Sequence, residues 1–465
     1  MTATALDTSF VRGLEATLRA AGGRATSSNG SILASWTAPV EPEDALRLVR
    51  TAAGKRVYWE VPADGTACAG SGEAWQAEGT GATRFATLRA AWQQTLATAV
   101  IRCDPAYPRP APLAFAGFRF NPEGRSDPAW RDFPDGLLYL PRLLYMRRGA
   151  RAWLTVNACL APGASLDAEL PVLLADLDRS AAPEAAGEPQ PAVRAEERVR
   201  RDRWERAAAA LIDAIGAGDV EKVVLARQVL LRSEGGDFDV FAALRRLRER
   251  YAGCSLFAAF RGESCFLGAS PERLVRLDGA EVSVDCLAGS AERGATEAED
   301  EAIARRLLDD AKERHEHDLV RRDLVEALSP VCDGLRVAEE PLVKRLANVQ
   351  HLYRPVTGRA RPGTDALDLV ERLHPTAATG GLPRRNALSL IRTFEPADRG
   401  WYAGPVGWLD SVGGGEFAVA IRSGLVRGGA ALLYAGCGIV AGSDPAREYE
   451  EASIKLEAMR WALSS

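Results

Sequence analysis

The sequence predicts a protein of the α+β class, and three observations carry that expectation. Short β-branched or alternating runs recur in both halves of the chain, as in Arg56-Val57-Tyr58-Trp59-Glu60-Val61-Pro62 and Lys222-Val223-Val224-Leu225-Ala226-Arg227. Stretches with helical spacing of Ala, Leu and Trp lie between them, as over 83–98. Towards the C-terminus three further strand-like runs, 401–409, 416–426 and 430–440, are separated by glycine turns. With 465 residues the chain can build one large core or two to three domains.

Taken in order, residues 1–160 mix both element types. After the strand at 56–62 and the helix at 83–98 comes Ala114-Phe115-Ala116-Gly117-Phe118-Arg119-Phe120, an alternating strand in which Gly117 marks a close approach or a bulge. Further strands are expected over 137–146 and 152–160. No titratable cluster stands out here, so this half reads as scaffold. The Pro-, Ala- and Glu-rich run over 181–191 lacks large apolar residues and has the composition of a linker. From Arg201 the character changes. A helix over 204–217 ends near Gly216 and Gly218, a strand covers 221–231, and a helix covers 241–251. A hairpin joins 255–260 to 264–267, and Ser270-Pro271-Glu272-Arg273 turns into another strand. One long charged helical region is expected over 296–328 and a short helix over 366–373.

Two helical stretches concentrate acidic residues. Asp444 can cap a helix that Pro445 opens; within it Glu448 and Glu451 lie three apart and Lys455 four further on, on one face. Lys312-Glu313-Arg314-His315-Glu316-His317 repeats the spacing with Glu313 and Glu316. Facing each other, the two helices would hold four carboxylates together, a set that repels unless protons or a cation intervene. Mg²⁺ suits such oxygen ligands. Taken alone, each Glu-x-x-Glu reads more readily as a solvated helical face with intrahelical ion pairs.

Composition excludes several classes. A net charge of −5 recruits neither nucleic acid nor an anionic membrane. Residues 1–10 show no signal-peptide pattern, and no window approaches a spanning helix. Eight scattered cysteines without a Cys-x-x-Cys point to a reducing cytoplasm, and four histidines, His315, His317, His351 and His374, make histidine-rich metal chemistry a poor fit.

Seven ordered stretches resemble the chorismate-utilising enzymes, which include anthranilate, aminodeoxychorismate, salicylate and isochorismate synthases. They are Lys222 to Arg227, Ser270-Pro271-Glu272-Arg273-Leu274, Leu287-Ala288-Gly289-Ser290, Lys312 to His317, His374-Pro375-Thr376-Ala377-Ala378-Thr379-Gly380-Gly381, Trp401-Tyr402-Ala403-Gly404, and Ala435-Gly436-Cys437-Gly438-Ile439-Val440 running into the capped helix. The likeness is strong over about 200–465 and weaker over 1–160, where Tyr58-Trp59-Glu60 and the 115–120 strand resemble isochorismate synthases. It implies an α+β fold with a large layered antiparallel sheet, surrounding helices and an active-site cleft. It places the chorismate-binding region at 200–465, and the composition read above puts a scaffold at 1–180 packed on the catalytic part and a linker-like loop at 181–199. Aminodeoxychorismate synthases carry a lysine where this chain has Ala288, anthranilate synthases need an ammonia source, and salicylate synthases typically carry threonine at the place of Ala378. Tyr402 occurs in both of the remaining groups and decides nothing, so the balance falls on isochorismate synthase.

The resemblance also implies roles. Lys222 is the base on the incoming water and Glu272 the acid on the departing hydroxyl; without it they read as a strand-edge lysine and a turn glutamate. Glu316 and Glu451 are implied as direct Mg²⁺ ligands, with Glu313 and Glu448 acting through water or from outside the coordination sphere. Arg422 and Lys455 face the substrate carboxylates. Gly289-Ser290 and Gly436-x-Gly438 bring backbone amides close, and His351 lies near the ring with Ala378 and Tyr402. The partner is then the small molecule chorismate, acted on by a cytoplasmic monomer or weak homodimer, with menaquinone synthesis favoured over siderophore synthesis. The alternatives are a salicylate synthase and a non-catalytic chorismate-binding subunit.

Overall fold

Two long strands tie the architecture together. In the computed structural model, which describes residues 8–464 apart from 53, 108, 125–126, 165–169, 174 and 176–191, Thr66–Gly79 and Gly136–Arg148 pair antiparallel from one end to the other. Their register shifts between Glu73 and Trp75, where Gly72 has a φ of +65° and Pro141, with no amide to donate, faces Glu73. On one side of this bulge their neighbours are Arg56–Val61 and Arg151–Leu160; on the other side it is Ala114–Phe118.

From that junction the pairing runs in two directions. One run passes through Arg56–Val61, Ser255–Arg261, Ser264–Ser270, Ser423–Arg427 and Ala430–Ile439 to Lys222–Ser233. The other passes through Ala114–Phe118, Pro405–Leu409, Gly415–Val419, Arg273–Asp278 and Glu281–Glu292 to Val349–Ala360. Ile32–Val40 and Val100–Cys103 form the one parallel pair among the described strands. The result is the expected large antiparallel sheet with helices around it. A buried cluster with Trp59, Phe115, Trp130, Trp401 and Trp408 draws on both runs. Gly117 does mark a close approach: a Cβ there would lie 1.9 Å from the Trp401 ring.

Residues 1–160 are hydrogen-bonded into this sheet rather than only packed on it, since Arg56–Val61 pairs with Ser255–Arg261 and Ala114–Phe118 with Pro405–Leu409. Of the linker expected at 181–199, residues 181–191 lie outside the described residues. Val193–Glu197 forms an edge strand on Lys222–Ser233, where the backbone groups of that edge offer it partners.

Three expectations about elements need correction. The charged region 296–328 is two helices, Glu297–Asp309 and Ala311–Leu328. Asp310 leaves the helical region (φ −70°, ψ 115°) and its carboxylate accepts from Glu313 N, so a capping residue breaks a run whose periodicity is continuous. The run 416–426 splits into Gly415–Val419 and Ser423–Arg427, because Arg422 has a φ of +51°. Residues 401–404 form a turn before Pro405–Leu409. The helices Thr8–Ser28 and Arg384–Phe394 were not expected, although the second carries Ala387, Leu388, Leu390, Ile391 and Phe394 at helical spacing along the face that packs on the core. Among the described residues no helix is long and apolar enough to cross a membrane.

Candidate active site

The site forms where both capped helices meet the ends of strands. Against Val349–Ala360, the strand Glu281–Glu292 bulges at Gly289, whose φ is +79°. The bulge turns Ser290 N towards the Ala311–Leu328 helix, where it donates to Glu313 Oε2 at 2.9 Å. A Cβ on residue 289 would come within 3.2 Å of the same oxygen. Directly opposite Ser290 stands His351, with Nδ1 2.9 Å from Ser290 Oγ and 3.2 Å from Gly289 O, and Nε2 3.1 Å from Arg422 Nη2. A guanidinium only donates, so Nε2 must accept and Nδ1 carries the proton. Burial, then the Arg422 and Lys455 charges, hold His351 well below the ordinary imidazole range, which keeps it neutral.

The Pro445–Ser464 helix opens as its sequence dictates, with Asp444 Oδ1 accepting from Arg447 N at 2.9 Å. Its acidic face meets that of Ala311–Leu328 through lysines. Lys312 Nζ lies 2.7 Å from Glu448 Oε1 and 3.0 Å from Glu313 Oε1. Lys455 pairs with Glu451 and donates to Gly436 O at 3.2 Å. Lys222, fully buried, holds Nζ 2.8 Å from Glu316 Oε1, an ion-pair contact without hydrogen-bond alignment. Gly438 makes room for this pair: a Cβ there would stand 2.2 Å from Glu316 Oε1 and 2.8 Å from Lys222 Cε.

These contacts set the protonation of the carboxyls. Burial, reinforced by Glu316, pushes Glu313 up to about 7. Burial and Glu451 raise Glu448. Burial also acts on Glu451, but Lys455 and Lys312 outweigh it and hold that carboxyl below its ordinary value. Cys437 Sγ lies within 4.8 Å of Glu448 and Glu451 ligand atoms, yet burial and Glu451 push its thiol well above its usual range, so it stays protonated. The donors that remain are carboxylate oxygens, the set a hard divalent cation takes.

A cavity opens beside this cluster. Glu272, Gly289, Ser290, Glu316 and His351 line it, as do Ala378, Tyr402, Arg422, Gly436, Gly438 and Lys455. An adjoining cavity shares Ser290 and Lys455 and adds Glu451. Lys222 reaches the first cavity through Glu316, and Lys312 joins Glu313 to Glu448. All the expected site residues thus gather in one region. Glu272 is buried in the turn after Ser270-Pro271, its amide 3.3 Å from Ser270 Oγ. Burial, then Asp285, raises its carboxyl to about 8 against the opposing pull of Lys222, Lys344 and Arg422. It therefore carries a proton at neutral pH. Arg422, a buried non-glycine residue at positive φ, marks local strain on the cavity wall.

Sequence reasoning gave no role to Lys312, although it stands inside one of the motifs, and missed Arg399 and Thr379, which also line the cavity. The signal for Lys312 was its place beside Glu313; Arg399 has no local signal.

The family model described as Chorismate binding enzyme matches residues 17–464. The chain belongs to this family. A curated relative, "Salicylate biosynthesis isochorismate synthase" of Pseudomonas aeruginosa, is 38% identical over 97% of this chain and 94% of its own length. "Isochorismate synthase MenF" of Bacillus subtilis is 35% identical over 95% of each. Among solved structures, MenF, the menaquinone-specific isochorismate synthase of Escherichia coli, superposes with a TM-score of 0.78 at 26% identity, covering 96% of this chorismate binding enzyme and 100% of that chain. Anthranilate synthase component I of Streptococcus pneumoniae, at 22% identity and a TM-score of 0.64 over 77% of this chain and 82% of its own, shares the fold.

Proposed function

We propose that this chorismate binding enzyme is an isochorismate synthase. Water adds at ring C2 of chorismate while the C4 hydroxyl leaves, and the ring double bonds shift between them. The observation that carries the reading is the pairing of a buried lysine, Lys222, with a buried carboxyl, Glu272, that holds its proton to about pH 8. Lys222 leaves Glu316 as the neutral amine, its own proton going to solvent, and takes the proton of the attacking water. Glu272 gives its proton to the departing hydroxyl, so water is gained and lost and the net change is an isomerisation. General acid and base groups contribute roughly 10²–10⁴-fold each.

Arg422 and Lys455 offer charge to the two carboxylates of the substrate, and the Gly289 bulge and Gly436-x-Gly438 leave room for it. The acidic cluster fits Mg²⁺, with Glu316 and Glu451 as direct ligands and Glu313 and Glu448 acting through water or from outside the coordination sphere. The bound cation would neutralise these carboxylates and hold the ring carboxylate of the substrate. Every residue invoked comes from 200–465 of one chain, which supports a catalytic region carried on the 1–180 scaffold and an enzyme active as a monomer or weak dimer; its eight free cysteines support a reducing cytoplasm. The names of the relatives divide between salicylate and menaquinone biosynthesis. Isochorismate is the product common to both, and menaquinone synthesis is the first pathway to test.

The experiment is product analysis after incubation with chorismate and Mg²⁺. Isochorismate is expected. Salicylate with pyruvate would make the protein a salicylate synthase, and unchanged chorismate would make it a non-catalytic binding subunit.

A further inference from the structure

Arg399 lines the cavity, yet nothing in the proposed chemistry uses it. Its side chain is 3% exposed and that of its partner Glu395 is 6% exposed. Nε donates to Glu395 Oε2 at 2.8 Å, Nη1 to Thr379 O at 2.8 Å and Nη2 to Val224 O at 2.7 Å. Glu395 Oε1 in turn accepts from Ala226 N at 2.7 Å. The guanidinium stacks over the Phe120 ring, 4.2 Å from its centre, and its own carbonyl accepts from Tyr402 N at 3.0 Å.

The targets of these contacts are specific. Val224 is two residues from Lys222, and Thr379 is next to Ala378. Pairing of this strand with Ala430–Ile439 ends at Val223, and beyond it Lys222 pairs with Leu382 on the other edge. Val224 N donates to Gly380 O at 2.9 Å, so Arg399 and the 379–380 backbone together clamp both polar groups of Val224. A planar fork donates four hydrogen bonds here, to two carbonyls and both oxygens of a carboxylate; an ammonium is a single point with three N–H groups and cannot reach them all.

We infer that Arg399 is a positioning residue for the isomerisation, its guanidinium fixing the Lys222 strand against the Ala378 loop so that base and ring stay aligned. The inference rests on the proposed function and concerns the turnover step rather than binding. In Arg399→Lys the charge opposite Glu395 survives while the fork is lost. In the pair Glu395→Gln with Arg399→Met the fork is lost and no buried charge is left unpartnered.

The test counts competent sites by calorimetric titration with chorismate and measures kcat and KM per site, with circular dichroism to check the fold. Both variants should bind chorismate, with KM changed by less than about threefold and kcat per site lowered about 100-fold, the loss expected for a misplacement of about 1 Å. A residue that only supports the core would lower the number of competent sites and leave kcat per site unchanged, which would overturn the inference. So would a loss carried entirely by KM, which would make Arg399 a substrate contact, or a failure of both variants to fold. Wild-type protein that makes no isochorismate would instead overturn the proposed function, and this inference with it, before any variant is compared.

Discussion

Glu272→Gln should stop turnover and at the same time stabilise the protein, by an amount that depends on pH. The folded state holds this carboxyl at about 8 against an ordinary value of 4.5, mainly through burial. The folded protein therefore binds a proton that the unfolded chain releases, and stability must fall as pH rises from the unfolded value through the folded one. The contribution is fully present below pH 4.5 and is lost progressively up to about pH 8. Integrating one group with those two values gives a loss of about 3 kcal/mol at pH 7 and under about 1 kcal/mol at pH 5. Glutamine is neutral at both, so it escapes the loss while keeping the shape of the side chain. Urea unfolding of wild type and Glu272→Gln at pH 5 and pH 7, with EDTA present, measures the difference directly. The variant should gain about 2 kcal/mol more over wild type at pH 7 than at pH 5, and it should form no isochorismate at either. An equal gain at both pH values would refute the raised carboxyl, and near-native activity would refute its role as the acid.

Lys222→Ala should lose turnover of both chorismate and isochorismate, since the reaction is reversible; a near-native rate in either direction would put the base elsewhere. Activity should vanish after exhaustive EDTA treatment and return with Mg²⁺. Glu316→Ala or Glu451→Ala should remove it with the circular dichroism spectrum unchanged, because the loss is of a ligand rather than of core packing. Gly438→Ala should lower kcat at least about tenfold, because the new methyl would stand 2.2 Å from Glu316 Oε1; wild-type turnover in that variant would show that the Lys222–Glu316 pair can shift freely. Ala378→Thr places a hydroxyl on the cavity wall, where one hydrogen bond is worth about 0.5–1.5 kcal/mol. It should gain enzyme-dependent pyruvate from isochorismate over wild type, read by coupled lactate dehydrogenase, and no gain would remove the role given to that methyl.

What could be read from the sequence was what lies close together in it. The Glu448, Glu451 and Lys455 face follows from helical periodicity, and Asp444 and Pro445 announce the start of that helix by ordinary capping chemistry. The Gly117 contact with Trp401 was readable because a glycine inside an alternating strand calls for a reason. Lys222 and Glu272 were different: their surroundings in the chain fit an exposed lysine and an ordinary turn, and only resemblance singled them out. Their burial comes from tertiary packing that no local pattern encodes. The break at Asp310 was hidden because a capping aspartate inside a charged run leaves the spacing intact. Arg399 was out of reach for a further reason: its acceptors Val224 and Glu395 lie 175 and 4 residues away, and only the folded chain brings them to one guanidinium.

The division of labour among the carboxyls follows from their partners. Glu316, Glu451, Glu313 and Glu448 each have a lysine in ion-pair contact, through Lys222, Lys455 and Lys312. Burial still raises Glu313 and Glu448, while Lys455 and Lys312 hold Glu451 below its ordinary value, and all four are placed to exchange an ammonium for a metal ion. Glu272 is as deeply buried and lies near positive charge, but among the described residues no cation is in ion-pair contact with it. Asp285 adds repulsion, so the cheapest state for Glu272 is the neutral one, and a neutral carboxyl on a cavity wall has a proton to donate. In the proposed mechanism these two carboxyl environments, one paired with lysines and one left without a cation, would separate cation binding from acid catalysis without any difference in residue type.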